Sequence, residues 1–211
     1  MSASAQGNCY ICGGTFGKTA MKNHQLKGHG ESDAGEQCYL LKIEDPYNKD
    51  YWLYADVPLS SSLSGLDAFL RKIWLECCGH LSAFFKPGRF KVPKNSKWGA
   101  FSAEEKLEYE YDFGSTTELA ITIIGETARK KQKTAVRLLA RNVPPLAQCA
   151  VCGKPATMIC AECYDSDNPF FCDSCVKKHE HEFLLPVVNS PRMGVCGYDG
   201  ELDVFAFSPV S

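Results

Sequence analysis

The chain has 211 residues, of which 45% are hydrophobic and 11% aromatic, and its formal net charge is −2. That apolar content is enough for a packed core, so the composition excludes a wholly disordered protein. No apolar run reaches the roughly 18 residues of a membrane span, and residues 1–6 lack the basic and apolar regions of a secretory signal. We therefore expect a cytoplasmic protein with no membrane partner.

Twelve cysteines and five histidines indicate metal binding. Eight cysteines form four C-x-x-C pairs, and in a reducing compartment thiolates at this spacing grip one ion. Two modules of this kind, at residues 1–35 and 144–211, are predicted to flank a middle domain at 37–143 that binds no metal of its own. We expect three structural Zn²⁺ ions, which would change the formal charge from −2 to about −4 because four thiolates outweigh one dication.

The first module has the pattern C-x2-C-x11-H-x4-H, formed by Cys9, Cys12, His24 and His29. A hairpin turn would supply two thiolates and a helix two imidazoles, which together complete a tetrahedron. The pattern resembles the zinc finger with two cysteine and two histidine ligands, although its cysteine-to-histidine spacing is one residue short. The finger's role stays open between contact with DNA on one side and protein docking or capping on the other. The glycine-rich residues 28–36 are predicted to be a flexible linker.

The middle segment combines strand patterns with one strong helical pattern. Five large apolar residues recur at helical spacing: Leu66, Phe69, Leu70, Ile73 and Trp74. Ser62 or Ser64 would cap this helix, and Gly79 would end it. Aromatic and aliphatic runs predict seven strands: Gln37–Ile43, Tyr51–Val57, Leu81–Phe85, Arg89–Val92, Leu107–Tyr111, Leu119–Ile124 and Thr134–Leu139. One main helix against a mostly antiparallel sheet is an α+β fold.

Several short motifs of this segment, SLSGLDAFLRKIW, GHLSAF and LEYEYDFG, resemble the Ri-plasmid open-reading-frame-three-like domain. The resemblance covers about residues 38–142. Members of that family are found in bacteria and archaea and as passenger proteins of mobile elements, and they have no established catalytic residues. The resemblance therefore implies the fold and a link to mobile elements, without a mechanism.

Three residues with reactive side chains, Cys77, Cys78 and His80, follow the predicted helix. One hypothesis is a Cys78 thiolate activated by His80, and another is an extra metal site. Against both, adjacent residues at a helix end point in different directions, and free cysteines are common core residues. We therefore predict a structural role and assign no catalytic residue.

One stretch concentrates positive charge: Arg129, Lys130, Lys131, Lys133, Arg137 and Arg141. We predict that it forms a solvated edge of the sheet, which its charges protect from pairing with another chain. The alternative is a patch that contacts phosphate groups.

The second module contains three C-x-x-C pairs and two histidines: Cys149, Cys152, Cys160, Cys163, Cys172, Cys175, His179 and His181. Eight ligands cannot share one ion, and so short a segment has little apolar core, so two zinc ions would supply the folding free energy. The spacing resembles the B-box and related cross-brace fingers. That resemblance implies that the first and third pairs hold one ion, and that the second pair and the histidines hold the other. Only one residue separates the histidines, so Cys196 is an alternative to His181.

All of these sites are saturated by protein ligands, whereas a catalytic zinc keeps a position open for water. We therefore predict a non-enzymatic binding or adaptor protein. A protein partner is favoured, because B-box-like folds mostly bind protein and the charge is acidic. One alternative is a nucleic-acid-binding accessory protein of mobile elements, and another is an enzyme that uses Cys78 and His80. No small-molecule substrate is evident. The apolar segment Val204–Phe207 is predicted to pack back onto the body.

Overall fold

A computed structural model of the chain describes residues 6–28, 35–163, 166–205 and 207. In chain order, its elements up to residue 142 are β1 (Gln6–Cys9), β2 (Thr15–Gly17), α1 (Lys18–Lys27), β3 (Glu36–Glu44), β4 (Trp52–Pro58), α2 (Leu63–Leu70), β5 (Ser82–Lys86), β6 (Phe90–Val92), β7 (Lys106–Tyr111), β8 (Thr117–Arg129) and β9 (Arg137–Asn142). These strands form one antiparallel sheet in the order β2-β1-β9-β4-β3-β8-β7-β5-β6. The predicted α+β fold, with a mostly antiparallel sheet and one main helix, is confirmed.

All seven strands predicted for the middle segment are present, but their ends differ from the prediction. β8 runs to Arg129 rather than ending at Ile124, because β3 begins at Glu36 and pairs with the second half of β8. β9 begins at Arg137 rather than Thr134. Cross-strand partners, which a single sequence does not display, decide both limits.

The main helix is shorter than predicted and changes type before it ends. Ser62 occupies its N-cap position, although without a side-chain hydrogen bond to the backbone. After Leu70 the chain makes a π-helical turn, Arg71–Leu75, closed by the Glu76 N–H donating to the Arg71 carbonyl at 2.8 Å. The predicted end at Gly79 is wrong, since Gly79 lies in the following loop with φ +82°. That loop also carries Cys77, Cys78 and His80.

The two faces of the sheet are covered by different parts of the chain. α2 and the π-helical turn pack on one face, where Leu66, Trp74 and Tyr109 are fully buried. The other face carries a second apolar cluster, in which Met21 of α1 packs with residues that include Trp52 of β4. The first module therefore contributes to the central fold: β1 pairs with β9 and extends the sheet.

The junction between the first module and the sheet requires a residue without a side chain. Gly7 of β1 lies directly against the Trp52 indole, and a Cβ at Gly7 would be 2.3 Å from a ring carbon. No other residue fits that approach without displacing Trp52 or the strand. The close packing joins β1 to the second apolar cluster.

The predicted solvated edge at residues 129–141 is wrong. β9 lies between β1 and β4 inside the sheet, and the Arg129 side chain at the end of β8 is fully buried. Asp56 of β4 accepts hydrogen bonds from Arg129 Nη1 and Arg137 Nη2, both at 2.5 Å. Buried charges persist only when they are paired, and Asp56 supplies that pairing. The lysines of the stretch are exposed: Lys130, Lys131 and Lys133.

The second module and the C-terminal segment follow the sheet. The module contains β10 (Met158–Cys160), β11 (Phe170–Phe171) and β12 (Leu184–Pro186), in the order β11-β10-β12. The chain then returns to the body. As predicted, its apolar end makes contact there, with the Phe205 ring 5.2 Å from that of Phe69. In the described part of the chain, no helix has the length and apolar character to cross a membrane.

Candidate metal centres

The first group of potential ligands joins Cys9, Cys12 and His24, whose donor atoms all lie within 4.8 Å of one another. Cys9 ends β1 and His24 lies on α1, so the hairpin and the helix supply them as predicted. Cys12 Sγ and His24 Nε2 are 3.3 Å apart, and a sulfur and a nitrogen on one tetrahedral zinc would be about 3.6 Å apart. The predicted fourth ligand, His29, lies outside the described residues.

The surroundings of this first group orient its ligands. The His24 ring stacks on Phe16 with a centroid distance of 4.4 Å. Gln25 Nε2 donates to Cys9 Sγ at 3.3 Å. An N–H donor to a ligand sulfur is the kind of outer-shell contact that fixes metal ligands and supports thiolate charge. The Gln25 side chain is buried against Met21, so the same residue links the group to the second apolar cluster.

The second group consists of four cysteines, Cys149, Cys152, Cys172 and Cys175, from the first and third pairs of the second module. The Sγ atoms of Cys152 and Cys172 are 3.6 Å apart, close to the about 3.8 Å that separates two sulfurs on one tetrahedral zinc. Each pair lies on a tight turn, closed by the Gly153 N–H donating to the Cys149 carbonyl at 2.9 Å and by the Cys175 N–H donating to the Cys172 carbonyl at 3.0 Å.

Backbone N–H groups of these turns also point at the sulfurs. The Cys172 N–H, with those of Val151 and Cys152, lowers the pKa of the Cys149 thiol to about 6, although burial opposes the change. By contrast, the Cys175 thiol is hydrogen-bonded to Cys152 and Cys172, and these bonds raise its pKa to about 12. Four sulfurs at this spacing therefore do not ionise independently.

The third group joins the second pair with both histidines: Cys160, Cys163, His179 and His181. Cys163 Sγ lies 3.4 Å from His179 Nε2 and 3.2 Å from His181 Nδ1. Cys160 Sγ is 3.5 Å from the same His181 nitrogen. The division of eight side chains into these two groups follows the cross-brace order that the B-box resemblance implies.

The single residue between His179 and His181 does not prevent their convergence. A 3₁₀ turn at Val176–Lys178 ends at His179, whose backbone is extended (φ −82°, ψ 141°). The chain then bends at Glu180, and both imidazoles face Cys163 Sγ. The Phe171 ring, 4.2 Å from that of His179, holds the His179 imidazole in place.

A fourth group joins Cys77, Cys78 and His80, which follow α2, with Cys196 of the C-terminal segment. The expectation that neighbouring side chains would diverge is wrong: the Sγ atoms of Cys77 and Cys78 are 3.8 Å apart. Cys196 therefore lies with His80, at 3.2 Å, and not beside His181. In all, four Cys/His groups of the described residues lie close enough together to hold a metal ion.

The fourth group lacks the arrangement of an activated nucleophile. Cys78 Sγ and His80 Nε2 are 3.0 Å apart, but the Asp112 carboxylate faces the same Nε2 at 3.4 Å. In a catalytic triad the acid orients the other ring nitrogen. A hydrogen bond with Cys77 and burial raise the pKa of the Cys78 thiol to about 11, whereas reactive cysteines have lowered pKa values.

No model of a known protein family matches the chain, and no curated protein matches it. A structural search finds a likeness to a protein of unknown function from Methanosarcina mazei Go1. The two share 18% sequence identity with a TM-score of 0.44, over 52% of this chain and 72% of that chain. At that level the likeness carries no functional information, and the resemblance to the Ri-plasmid family stays a prediction.

The sequence indicated three of the four groups, because each of those consists of ligands close together in the chain. For the fourth it offered an extra metal site at Cys77, Cys78 and His80 only as a hypothesis that it set aside, and it missed Cys196 because that residue is 116 positions from His80. One feature of the sequence could have indicated the fourth group. A glycine directly follows Cys78 and Cys196, as Gly153 follows Cys152 in a predicted site.

Proposed function

We propose that the protein is a non-enzymatic, zinc-dependent binding module whose second module presents a surface to a protein partner. The observation that carries the proposal is that both groups of the second module contain four protein ligands. A structural zinc has four such ligands, whereas a catalytic zinc keeps one position for water or substrate. Neither ion of this module would be available to a substrate.

Zinc is the ion that suits these groups best. Thiolate and imidazole are its preferred ligands in tetrahedral structural sites, and carboxylates and carbonyls suit magnesium or calcium instead. In the first three groups the sulfur–sulfur and sulfur–nitrogen distances are those of such tetrahedra to within a few tenths of an ångström. The three strands of the second module have only two or three residues each, so metal binding would supply much of its folding free energy.

A protein partner fits the surface of the second module. Leu146, Val151 and Phe183 are large apolar side chains that remain exposed in this module, and exposed apolar surface favours contact with protein. The formal charge of −2 becomes more negative when zinc binds four thiolates, which disfavours a nucleic acid.

The nucleic-acid alternative loses part of its support in the structure. Arg129 and Arg137 are committed to Asp56, and Arg141 Nη1 pairs with Asp203 at 2.7 Å. Of the six charges of the basic stretch, three are thus used inside the protein. Lys18 of α1 forms an ion pair with Glu44, so it too is not free for phosphate.

The test is capture from a native lysate on the immobilised full chain, after nuclease treatment. We expect the wild-type chain to retain a protein partner, and we expect chelation of zinc to release it. The triple variant should fail to retain the partner: Leu146→Ser, Val151→Ser and Phe183→Ser. Phe90→Ser, at an exposed position of the edge strand β6, is the matched control and should retain it. Equal capture by the triple variant, or capture that nuclease abolishes, would contradict the proposal.

A further inference from the structure

We propose that Cys77, Cys78, His80 and Cys196 form a fourth zinc site, which fastens the C-terminal segment to the α+β domain. The site would place a metal in the domain that the sequence predicted to have none. It goes beyond the proposed function, since it concerns neither the second module nor a partner. Three thiolates and one imidazole are a common ligand set of structural zinc.

The sulfur–sulfur distances within the group match the edges of a zinc tetrahedron, and its sulfur–nitrogen distances are shorter than the about 3.6 Å of such a site. Sγ of Cys78 lies 3.8 Å from that of Cys77 and 3.9 Å from that of Cys196, against about 3.8 Å for two sulfurs on one zinc. His80 Nε2 is 3.0 Å from Cys78 Sγ and 3.2 Å from Cys196 Sγ. The four donor atoms all lie within 4.8 Å of one another, the same limit that the groups of the second module meet.

The backbone on both sides of the group is shaped to make the side chains converge. Gly79, between two of the ligands, has φ +82°. Cys196 itself has φ +50°, a conformation that side chains other than glycine rarely adopt, and Gly197 follows with φ +70°. Such strain persists where the surroundings over-determine it. Fixing Cys196 to three other ligands provides that constraint.

Charged side chains around the group complement the charge of the site. Three thiolates and one zinc leave a net charge of about −1. The fully buried Arg192 guanidinium donates to Cys77 Sγ at 3.5 Å and to Asp112 Oδ2 at 2.7 Å. Arg192 therefore offsets both the ligand sulfur and the carboxylate beside His80. This is the outer-shell contact that orients metal ligands.

A disulfide does not account for the group as well as a metal does. The cysteines are reduced in the structure, and the 3.9 Å between Cys78 Sγ and Cys196 Sγ is about twice a disulfide bond length. A disulfide would also leave Cys77 and His80 without a reason to converge on the same point. One ion engages all four side chains.

The site would act where the returning chain meets the body. Ser190 Oγ donates to the Trp74 carbonyl at 2.6 Å, and Tyr198 OH lies 3.5 Å from the Ile73 carbonyl. Cys196 lies between these two contacts in the chain and, like them, reaches the end of the main helix. Loss of the ion would therefore loosen residues 190–205 without unfolding the sheet.

The decisive experiment counts zinc per chain in wild type and four variants of the whole chain, purified without chelator. We expect His80→Ala and Cys196→Ser each to hold one ion fewer than wild type, and His80→Cys to restore the wild-type count because it returns a fourth ligand. Cys38→Ser is the matched control, since Cys38 is a buried cysteine outside all four groups and its Sγ donates to the Glu36 carbonyl. An unchanged count in His80→Ala would overturn the proposal.

A second measurement uses wild type alone, in case the variants fail to fold. Cys78 and Cys196 are exposed in the structure, so without a metal an alkylating reagent would reach them equally well with and without a chelator. We expect both to be protected until a chelator is added, as judged by peptide mapping. Immediate alkylation, or a mass that shows a Cys78–Cys196 disulfide, would refute the fourth site.

Discussion

Asn142 and Asn189 hold each other by two hydrogen bonds, although they are 47 positions apart. Asn142 Nδ2 donates to Asn189 Oδ1 at 2.8 Å, and Asn189 Nδ2 donates to the Asn142 carbonyl at 3.0 Å. Asn142 is the last residue of β9, and Asn189 lies just after β12, the last strand of the second module. The pair therefore links the segment that enters the second module to the segment that leaves it.

Replacement of Asn189 by Ala should weaken this closure without removing metal. It removes both hydrogen bonds of the pair and leaves Asn142 Nδ2 with the Val143 carbonyl alone, which should cost about 1–3 kcal/mol. We expect the free energy of unfolding, measured by urea denaturation, to fall by that amount while the zinc content stays constant. Loss of zinc from Asn189→Ala would show that the pair supports the metal groups directly.

The Arg192–Asp112 pair predicts a larger effect. Both side chains are buried, and Arg192 also donates to the Ser115 carbonyl and to Thr117 Oγ1. Arg192→Met leaves a buried carboxylate uncompensated, which should lower the free energy of unfolding by about 3–5 kcal/mol. The control is Lys86→Met, which breaks an exposed pair with Glu105 and should cost at most about 1 kcal/mol. Equal costs for the two variants would be inconsistent with the buried pair.

The basic stretch should separate into structural and surface charges. Arg129→Met removes a fully buried partner of Asp56 and should destabilise the fold by about 3–5 kcal/mol. Lys131→Met, at an exposed position two residues later, should change stability by at most about 0.5 kcal/mol. Thermal unfolding of both variants tests this. A stability of Arg129→Met equal to that of wild type would contradict the buried Arg129–Asp56 pair.

The Asp67 carboxylate predicts a pH-dependent part of the stability. Burial alone would raise its pKa, but hydrogen bonds from Ser82, Lys94 and Tyr109 lower that pKa below its ordinary value. A carboxyl with a lowered folded-state pKa contributes stability above its unfolded-state pKa of about 3.9, and that contribution disappears as the pH falls further. The stability difference between wild type and Asp67→Asn should thus be full at pH 7 and shrink below about pH 4.

The measurement compares urea denaturation of wild type and Asp67→Asn at each pH. Zinc ligands also take up protons in acid, but that loss is common to both proteins and cancels in the difference. A difference that stays constant from pH 7 to pH 3 would show that the Asp67 charge does not contribute.

The features that the sequence could indicate are those whose neighbours in space are also neighbours in sequence. The α+β class followed from the apolar spacing of α2 and the strand patterns, and Cys149 to His181 lie within one short segment. Arg129 and Cys196 were misplaced for the opposite reason. The partner of Arg129 is Asp56, 73 positions away. Cys196 lies with Cys77, Cys78 and His80, which precede the second module in the chain. A single sequence records residue types but not such long-range pairs.

Elemental zinc per chain, measured on the untagged chain, decides whether the Cys/His groups hold metal and how many of them do. We predict four ions per chain. We also expect that a chelator removes the ions of the second module, and that hydrogen exchange of residues 149–186 then becomes faster because the module loses its structure. Three ions per chain, with the same count in His80→Ala, would show that the fourth group binds no zinc and that the two predicted modules hold all of it. A value near zero in freshly purified, folded protein would contradict the account as a whole.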